Sequence, residues 1–344
     1  MRSFVYSLLC LCLTSSAHAG AFQTTVNIFT DADSIVHTYL YVGAGGQRTV
    51  NVCLDPDFSD IELAEPAIER AIATWNDLLP ETENLDQETV PSNLADFETV
   101  VLHELGHCAF GLGHPNLGFR IADPDGTNIF FTNAEVGQDG FFNFDPNDVT
   151  PGSSDDLRGD DVNRMWFNTF DNNPFVFAGP IDGSSYSNDL SNLPKGDSFA
   201  ANPNRFVGAS LSIPFFDTEA VMTAVAFFGE SRLTLMADDV AIVRLAQTGV
   251  DSTAGNADDY TILLEYQGRT NDSSQCDVIL ETDPALDLPA ICDVDGISIG
   301  SNHFRLAGDG IIRLAPPSAV SWFYGAEVFA DGFESGDTTA WGGP

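Results

Sequence analysis

Three histidines and one glutamate stand close together in the run His103-Glu104-Leu-Gly-His107, which is followed by His114. On an α-helix, residues four apart are only about 40° apart around the axis and about 6 Å apart along it, so His103 and His107 point the same way. Imidazole nitrogens are preferred zinc ligands, and a catalytic zinc site has three protein ligands and one position open to water. The spacing therefore predicts a zinc site, with His114 as the third ligand after a glycine turn.

Glu104 is placed to act as a base rather than as a ligand. Zinc lowers the pKa of its bound water to about 7, and a neighbouring carboxylate can take a proton from that water and pass it to a departing amine. The predicted function is hydrolysis of peptide bonds through a zinc-bound water with Glu104 as general base. The alternative is a surface helix whose histidines only titrate near their usual pKa of about 6.5.

The elements that must position these residues are visible in the hydrophobic pattern. Residues 49–54 alternate as a strand, and apolar residues recur every three or four positions from Ile61 to Leu79, which predicts an amphipathic helix. Asp96 is predicted to be the N-cap of a second helix that carries the histidines and ends at Gly111. Residues 235–248 are predicted to form a third helix.

These stretches resemble the metzincin zinc endopeptidases, and among them the matrixin-like branch. The resemblance implies an α+β fold, a zincin-like catalytic domain with a twisted mixed sheet and three main helices. It also implies zinc endopeptidase activity on a peptide or protein substrate, and Met222 in a methionine turn beneath the metal. The matching segments are Val52 to Pro56, Ala71 to Asn76, Phe97 to His107, Ala220-Val221-Met222-Thr223, and Leu235 to Val240.

The chain departs from that family in two ways. His114 follows His107 by one residue more than the family pattern has, and the position that the strict pattern gives to the third ligand is Gly113. A long insert, at about residues 115–217, also separates the motif from Met222. A carboxylate from the insert is therefore a rival to His114 for the third ligand position.

The sequence divides into four predicted regions. Residues 1–19 are predicted to be a secretory signal peptide, with cleavage after Ala17-His18-Ala19. Residues 20–259 form the catalytic domain, residues 260–327 a β-rich extension, and residues 328–344 a tail. The tail resembles a terminal motif of secreted bacterial proteins, and is either a sorting or attachment tag or a final strand. The predicted location is outside a bacterial cell, free or attached to the surface.

The charge balance excludes several kinds of partner. The chain has 13 Lys and Arg residues against 51 Asp and Glu residues, for a net charge of −38, and 43% of its residues are apolar. Nucleic acids and anionic lipids repel a surface with this much negative charge. The apolar fraction is nevertheless sufficient for a hydrophobic core. Nothing after the signal approaches the roughly 20 apolar residues of a membrane span. We expect a monomer that binds neither nucleic acid nor a membrane.

Four cysteines remain once the signal is removed, and an even number outside the cytosol predicts two disulfides. Proximity in the sequence favours Cys276–Cys292, which leaves Cys53–Cys108. Free buried thiols are the general alternative. Two more specific alternatives are Cys108 as a thiolate ligand of the metal and Cys53 as a latency switch.

Two acidic turns have the same spacing of aspartates around a glycine. Carboxylates arranged around a glycine turn can bind calcium. Solvated acidic turns explain the repeat equally well. Two other functions stay open: a non-catalytic calcium-binding surface or adhesion protein on a metzincin scaffold, and a zinc amidase that acts on cell-wall peptides. The candidate calcium ligands are Asp148, Asp155, Asp156, Asp251, Asp258 and Asp259.

Overall fold

The computed structural model of the chain describes residues 19–23, 34–114, 119–121, 129–131, 165–170, 180–188, 192, 220–223 and 228–325. Most of the predicted signal peptide, most of the predicted insert and the predicted tail lie outside these residues. The described residues form a mixed α+β structure, as the sequence predicts. Their three helices are α1 (Ile61–Asp77), α2 (Phe97–Phe110) and α3 (Ala237–Gln247).

The strands are short and lie on both sides of the helices in the sequence. In chain order they are β1 (Ala19–Phe22), β2 (Ile35–His37), β3 (Gly46–Leu54), β4 (Leu85–Asp86), β5 (Ala95–Asp96), β6 (Leu112–Gly113), β7 (Phe119–Ile121), β8 (Ile129–Phe131), β9 (Met165–Asn168), β10 (Tyr186–Ser187), β11 (Ser231–Arg232), β12 (Tyr260–Arg269), β13 (Val278–Thr282), β14 (Ala290–Asp293), β15 (Gly296–Gly300), β16 (His303–Leu306), β17 (Gly310–Leu314) and β18 (Trp322–Phe323).

Helix α2 carries the histidine motif and lies inside the core. The Asp96 carboxylate accepts the N–H of Thr99 at 2.7 Å and so caps the helix, as predicted. The helix ends at Gly111, whose φ of 69° is in the left-handed region, and the Gly111 N–H donates to the His107 carbonyl at 3.1 Å. Thirteen of its fourteen residues are buried, so the alternative of a surface helix is wrong.

Helix α1 packs against α2 through the apolar stripe that the sequence predicts. Ile68, Ile72 and Trp75 recur at helical spacing and are buried. The indole N–H of Trp75 also donates to the carbonyl of Leu102 at 2.8 Å, so the polar edge of this large side chain is satisfied inside the core. None of the described helices is long and apolar enough to cross a membrane.

A five-stranded sheet in the order β12-β3-β13-β17-β14 covers α1 and α2. The first four strands are parallel to one another, and β14 is antiparallel at one edge. Strand β3 precedes the helices in the sequence, whereas the other four strands follow α3. Leu264, Leu280 and Leu314 of these later strands belong to the same hydrophobic core as α1 and α2.

Four strands of the region predicted to be a separate β-rich extension, β12, β13, β14 and β17, are therefore part of the main sheet. The boundary predicted at residue 259 does not divide the core. Alternation of apolar residues identifies strands, but it carries no information about the sheet that a strand joins, because pairing partners are distant in the sequence.

The structure has two disulfides, as predicted, but both predicted pairings are wrong. The bonds are Cys53–Cys276 and Cys108–Cys292, each with its Cα atoms 5.8 Å apart. Parallel pairing of β3 with β13 brings Cys53 beside Cys276, and the packing of β14 on α2 brings Cys292 beside Cys108. Proximity in the sequence failed as a guide because the sheet joins strands from opposite ends of the described chain. Two disulfides are consistent with an oxidising, extracellular compartment.

A second group of histidines lies away from the motif, where β2 pairs with β16. His37 is fully buried, with its Nε2 atom 2.9 Å from Nδ1 of His303 and its Nδ1 atom 3.2 Å from the hydroxyl of Tyr260. Its ring stacks on that of Tyr41, with the ring centroids 4.5 Å apart. Burial, and secondly the charge of His303, lowers the pKa of His37 to about 3.

This buried histidine predicts loss of stability in acid. In the unfolded chain its pKa is about 6.5, so between about pH 6.5 and pH 3 the unfolded state holds a proton that the folded state does not, and stability falls as the pH falls. We expect His37→Phe to be less stable than wild type at pH 7, because Tyr260 and His303 lose a partner. We also expect it to lose less further stability in acid, with a difference in slope of up to about 1.4 kcal/mol per pH unit.

Urea unfolding of both metal-free proteins at pH 7, 6 and 5 measures this difference. Contributions from titrating groups that do not contact His37 cancel when the two slopes are subtracted. Equal slopes for wild type and His37→Phe would contradict the prediction.

Candidate metal centre

The three motif histidines converge on one point. Their Nε2 atoms form a triangle with sides of 3.1 Å between His103 and His107, 3.1 Å between His103 and His114, and 3.0 Å between His107 and His114. His103 and His107 come from one face of α2, one turn apart. In the part of the chain that the structure describes, this is the only group of three or more His, Cys, Asp or Glu residues whose ligand atoms gather in this way.

His114 reaches this triangle because the chain reverses at the end of α2. Gly111 adopts the left-handed conformation, and β6 then pairs with β1, with Gly113 opposite Ala21. This turn brings His114 back over the helix. His114 occupies the third position of this group, and no carboxylate of the described residues joins it. Most of the predicted insert, the source of the rival carboxylate, lies outside the described residues.

Two backbone carbonyls fix which nitrogen of each helical imidazole carries the proton. Nδ1 of His103 lies 2.7 Å from the carbonyl oxygen of Val221, and Nδ1 of His107 lies 2.6 Å from that of Leu112. A carbonyl only accepts hydrogen bonds, so each Nδ1 is the N–H donor. Both Nε2 atoms therefore present lone pairs to the same point, which is the arrangement of metal-ligating histidines.

Burial keeps these imidazoles neutral. It lowers the pKa of His103 well below the usual value of 6.5, with further contributions from the charges of His107 and His114. It also lowers the pKa of His107 to about 4. Neutral imidazole is the form that binds metals. Two nitrogen lone pairs cannot hydrogen-bond to each other, whereas a cation between them would satisfy both.

The size of the triangle suits zinc. Zinc–nitrogen bonds of about 2.0–2.1 Å place the nitrogens of a tetrahedral site about 3.3 Å apart. The observed sides of 3.0–3.1 Å differ from this separation by only a few tenths of an ångström. The geometry of the donors therefore fits a zinc-sized cation, and the structure itself does not identify the ion.

Met222 packs against α2 beside the two helical histidines. It is buried, and its sulfur is so close to Gly106 that a Cβ atom at that position would overlap it. Gly106 lies between the two helical histidines, so the absence of a side chain there lets the turn approach the helix. The same turn supplies the Val221 carbonyl that orients His103.

Asp239 holds this turn in place, and the sequence analysis did not identify it as a site residue. Its carboxylate accepts the N–H groups of Val221 at 2.9 Å, Met222 at 3.2 Å and Met236 at 3.0 Å. Burial raises its pKa to about 7, against the opposing effect of these hydrogen bonds. In the sequence, Asp238 and Asp239 indicate only a favourable interaction of two carboxylates with the dipole at the start of a helix.

A buried ion pair, also missed from the sequence, lies near the other end of the motif. Arg232 and Glu230 are each only 1% exposed, and their side chains are 3.2 Å apart. The hydroxyl of Thr99, one helical turn before His103, accepts the backbone N–H of Arg232 at 2.8 Å. The charge of Arg232 also contributes to the lowered pKa of His103.

Glu104 is buried between α2 and the edge strand β14. It is 6% exposed, and its buried Oε2 atom has no hydrogen-bond partner among the described residues. Burial raises its pKa to about 8, so in the metal-free protein the protonated form predominates at neutral pH. A cation nearby would act in the opposite direction, because positive charge favours the carboxylate.

The acidic residues proposed for calcium do not gather around a common point where the structure describes them. Asp258 accepts the N–H of Val250 at 2.9 Å, Asp259 accepts that of Gly255 at 2.6 Å, and Asp251 accepts that of Thr253 at 2.9 Å. These carboxylates bind their own loop. The other three candidates, Asp148, Asp155 and Asp156, lie outside the described residues.

No family model, curated protein or solved structure matches the chain.

The triangle predicts that His114 is as necessary for metal binding as the two helical histidines. We expect His114→Ala to weaken zinc binding by more than the roughly 10–100-fold that loss of an outer hydrogen-bond partner costs, because a ligand itself is removed. Competition against a chromogenic chelator measures the affinity. His303→Ala is the matched control, since it removes a histidine outside the triangle. Unchanged affinity in His114→Ala would show that the third ligand lies elsewhere.

Proposed function

We propose that the protein is a secreted zinc-dependent endopeptidase. The observation that carries this proposal is the triangle of three imidazole nitrogens, two of them on rings whose protonation is fixed by backbone carbonyls, beside a buried glutamate. Three nitrogen ligands leave the fourth position of a tetrahedral zinc site for water, which is the pattern of catalytic rather than structural zinc. Both cysteines considered as ligand or latency switch are in disulfides, so neither serves in that role here.

Bound at the triangle, zinc would acidify a water molecule and polarise the carbonyl of the scissile bond. Glu104 then has two tasks. As a carboxylate it accepts the proton of the attacking water, and as a carboxylic acid it donates that proton to the departing amine. Its burial supports the second task, because a water-poor environment stabilises the neutral acid after proton transfer.

The edge of the five-stranded sheet offers a binding surface for an extended peptide. Among the described residues β14 pairs only with β17, so its other edge is available beside α2. An extended chain can add to such an edge as a further strand and hydrogen-bond through its backbone. This arrangement supports a polypeptide substrate, with a cell-wall peptide as the alternative that an assay must distinguish.

Substitution of Glu104 tests the reaction. We expect Glu104→Gln and Glu104→Ala to bind zinc with roughly unchanged stoichiometry and to lower kcat on fluorescent casein by about 10²–10⁴-fold, since general acid–base catalysis is lost. A chelator should abolish wild-type activity, and added zinc should restore it. Glu98→Gln is the control, because Glu98 is also buried on α2 but binds Arg70 at 2.6 Å.

Three results would point away from this function. Zinc-loaded wild type that opens cell-wall fragments but cleaves no protein would establish an amidase. Zinc-loaded protein without any hydrolytic activity would favour the non-catalytic scaffold. Full activity in Glu104→Ala would exclude this residue as the base.

A further inference from the structure

Strand β14 presents its side chains to two different faces of the five-stranded sheet. Cys292 points toward α2, where its sulfur is bonded to that of Cys108, the residue after His107. Side chains alternate along a strand, so Ile291 and Asp293 point to the opposite, outer face. Ile291 is 46% exposed, and the side chain of Asp293 is 64% exposed. The free edge of β14 therefore carries an apolar and an acidic side chain, two residues apart, on one face.

The chain around this edge strand is strongly acidic. Arg313 of β17 lies 2.7 Å from Asp293 and 3.3 Å from Glu281, so one guanidinium group serves two carboxylates. Arg305 of β16 lies opposite Ile297 in the neighbouring sheet. Five carboxylates therefore stand against two guanidinium groups here. The segment from 281 to 297 supplies all five and contains no lysine or arginine: Glu281, Asp283, Asp287, Asp293 and Asp295.

A peptide that adds to the edge of β14 as a strand brings its own side chains opposite those of β14. Directly opposite side chains on one face have Cβ atoms about 4.5–5.5 Å apart. Apolar pairs and opposite charges are favourable at this distance, and like charges are unfavourable. Because side chains on one face recur every second residue, the peptide residues opposite Ile291 and Asp293 are themselves two positions apart. This spacing holds in whichever direction the peptide runs.

We propose that the substrate is a basic polypeptide whose bound strand carries an apolar residue and a lysine or arginine two positions apart, opposite Ile291 and Asp293. This inference rests on the proposed endopeptidase function and on binding of the substrate along β14. The net charge of −38 acts in the same direction, since it attracts basic chains and repels acidic ones over a longer range.

The position of the basic residue separates this recognition from general attraction. The charge of the whole protein favours any basic peptide, wherever its lysine lies. The pair of Ile291 and Asp293 makes a stronger demand, because one residue must separate the apolar side chain from the basic one. A preference that depends on this spacing therefore reports contacts at β14.

The experiment measures kcat/KM of zinc-loaded, full-length protein on a library of quenched fluorescent peptides. Each peptide contains one valine and, at varied spacing from it, one lysine, glutamine or glutamate. We expect the peptides with valine and lysine two positions apart to be cleaved best. Lysine at that position should give a kcat/KM about 2–10-fold higher than glutamate, because a favourable pair replaces a like-charge pair.

Two substitutions on β14 test the two contacts separately. Asp293→Asn should lower the ratio of lysine to glutamate cleavage about 2–5-fold at the preferred position and leave it unchanged elsewhere. Ile291→Ala should lower the preference for valine over alanine and leave the lysine preference. Glu265→Gln is the matched control, because it removes one negative charge from an exposed position on β12, the opposite edge of the same sheet.

Salt distinguishes the two contacts further. Exposed charges are screened beyond about 10 Å at 0.1 M salt and beyond about 3 Å at 1 M. The lysine preference should therefore weaken as salt is added, whereas the valine preference should persist.

A second readout does not depend on hydrolysis. Fluorescence anisotropy of the same peptides with zinc-loaded Glu104→Gln measures binding without cleavage, and should show the same spacing preference. Hydrogen exchange of this complex should slow at residues 290–293 on peptide binding, with residues 260–269 of the opposite edge strand unchanged.

A lysine preference that is equal at every spacing would overturn the inference, as would one that Asp293→Asn leaves unaltered. Protection from exchange that appears only away from β14 would also overturn it. Zinc-loaded wild type that hydrolyses no peptide would instead overturn the proposed function. The binding and exchange measurements would still decide whether β14 recognises the paired residues.

Discussion

Three imidazole nitrogens that face one another at 3.0–3.1 Å are the constraint on which the rest of the structure depends. Such an arrangement is unfavourable without a cation, because the nitrogens of His103 and His107 present lone pairs and burial opposes their protonation. The surrounding structure must therefore hold the three rings in this arrangement. The capped helix α2 fixes two of the rings, the turn at Gly111 returns the third, and carbonyls of two other segments fix the protons.

Much of the local structure could be predicted from the sequence, because it depends on short-range rules. The amphipathic period of α1 requires only neighbouring residues, and Asp96 caps α2 through an N–H three residues away. The same holds for the motif: a spacing of four on a helix determines that His103 and His107 share a face. The direction of the His114 side chain was harder to predict from the sequence. It depends on how the chain turns after α2, and that turn is set by the pairing of β6 with β1.

The parts that could not be predicted are all long-range. Cysteine counting gave the number of disulfides but not their partners, because Cys53 and Cys276 meet only through the parallel pairing of β3 with β13. No sequence pattern indicates that Asp239 and Arg232 lie buried near the site. Neighbouring residues do not reveal that a side chain packs against a distant part of the chain. Four strands of the predicted extension also complete a sheet that β3 begins more than 200 residues earlier, and their alternation does not reveal this pairing.

This long-range pairing has a consequence for how the site is assembled. The three histidines come from the turn and helix around residues 103–114, whereas the strand that packs against this helix comes from residues 290–293. Local folding of α2 can bring two imidazoles together before the later strands are in place, but the burial of Glu104 requires the rest of the fold. The triangle and the surroundings of Glu104 therefore depend on different parts of the chain. Loosening β14 would change the surroundings of α2 without removing a histidine of the triangle, since none of the three lies on that strand.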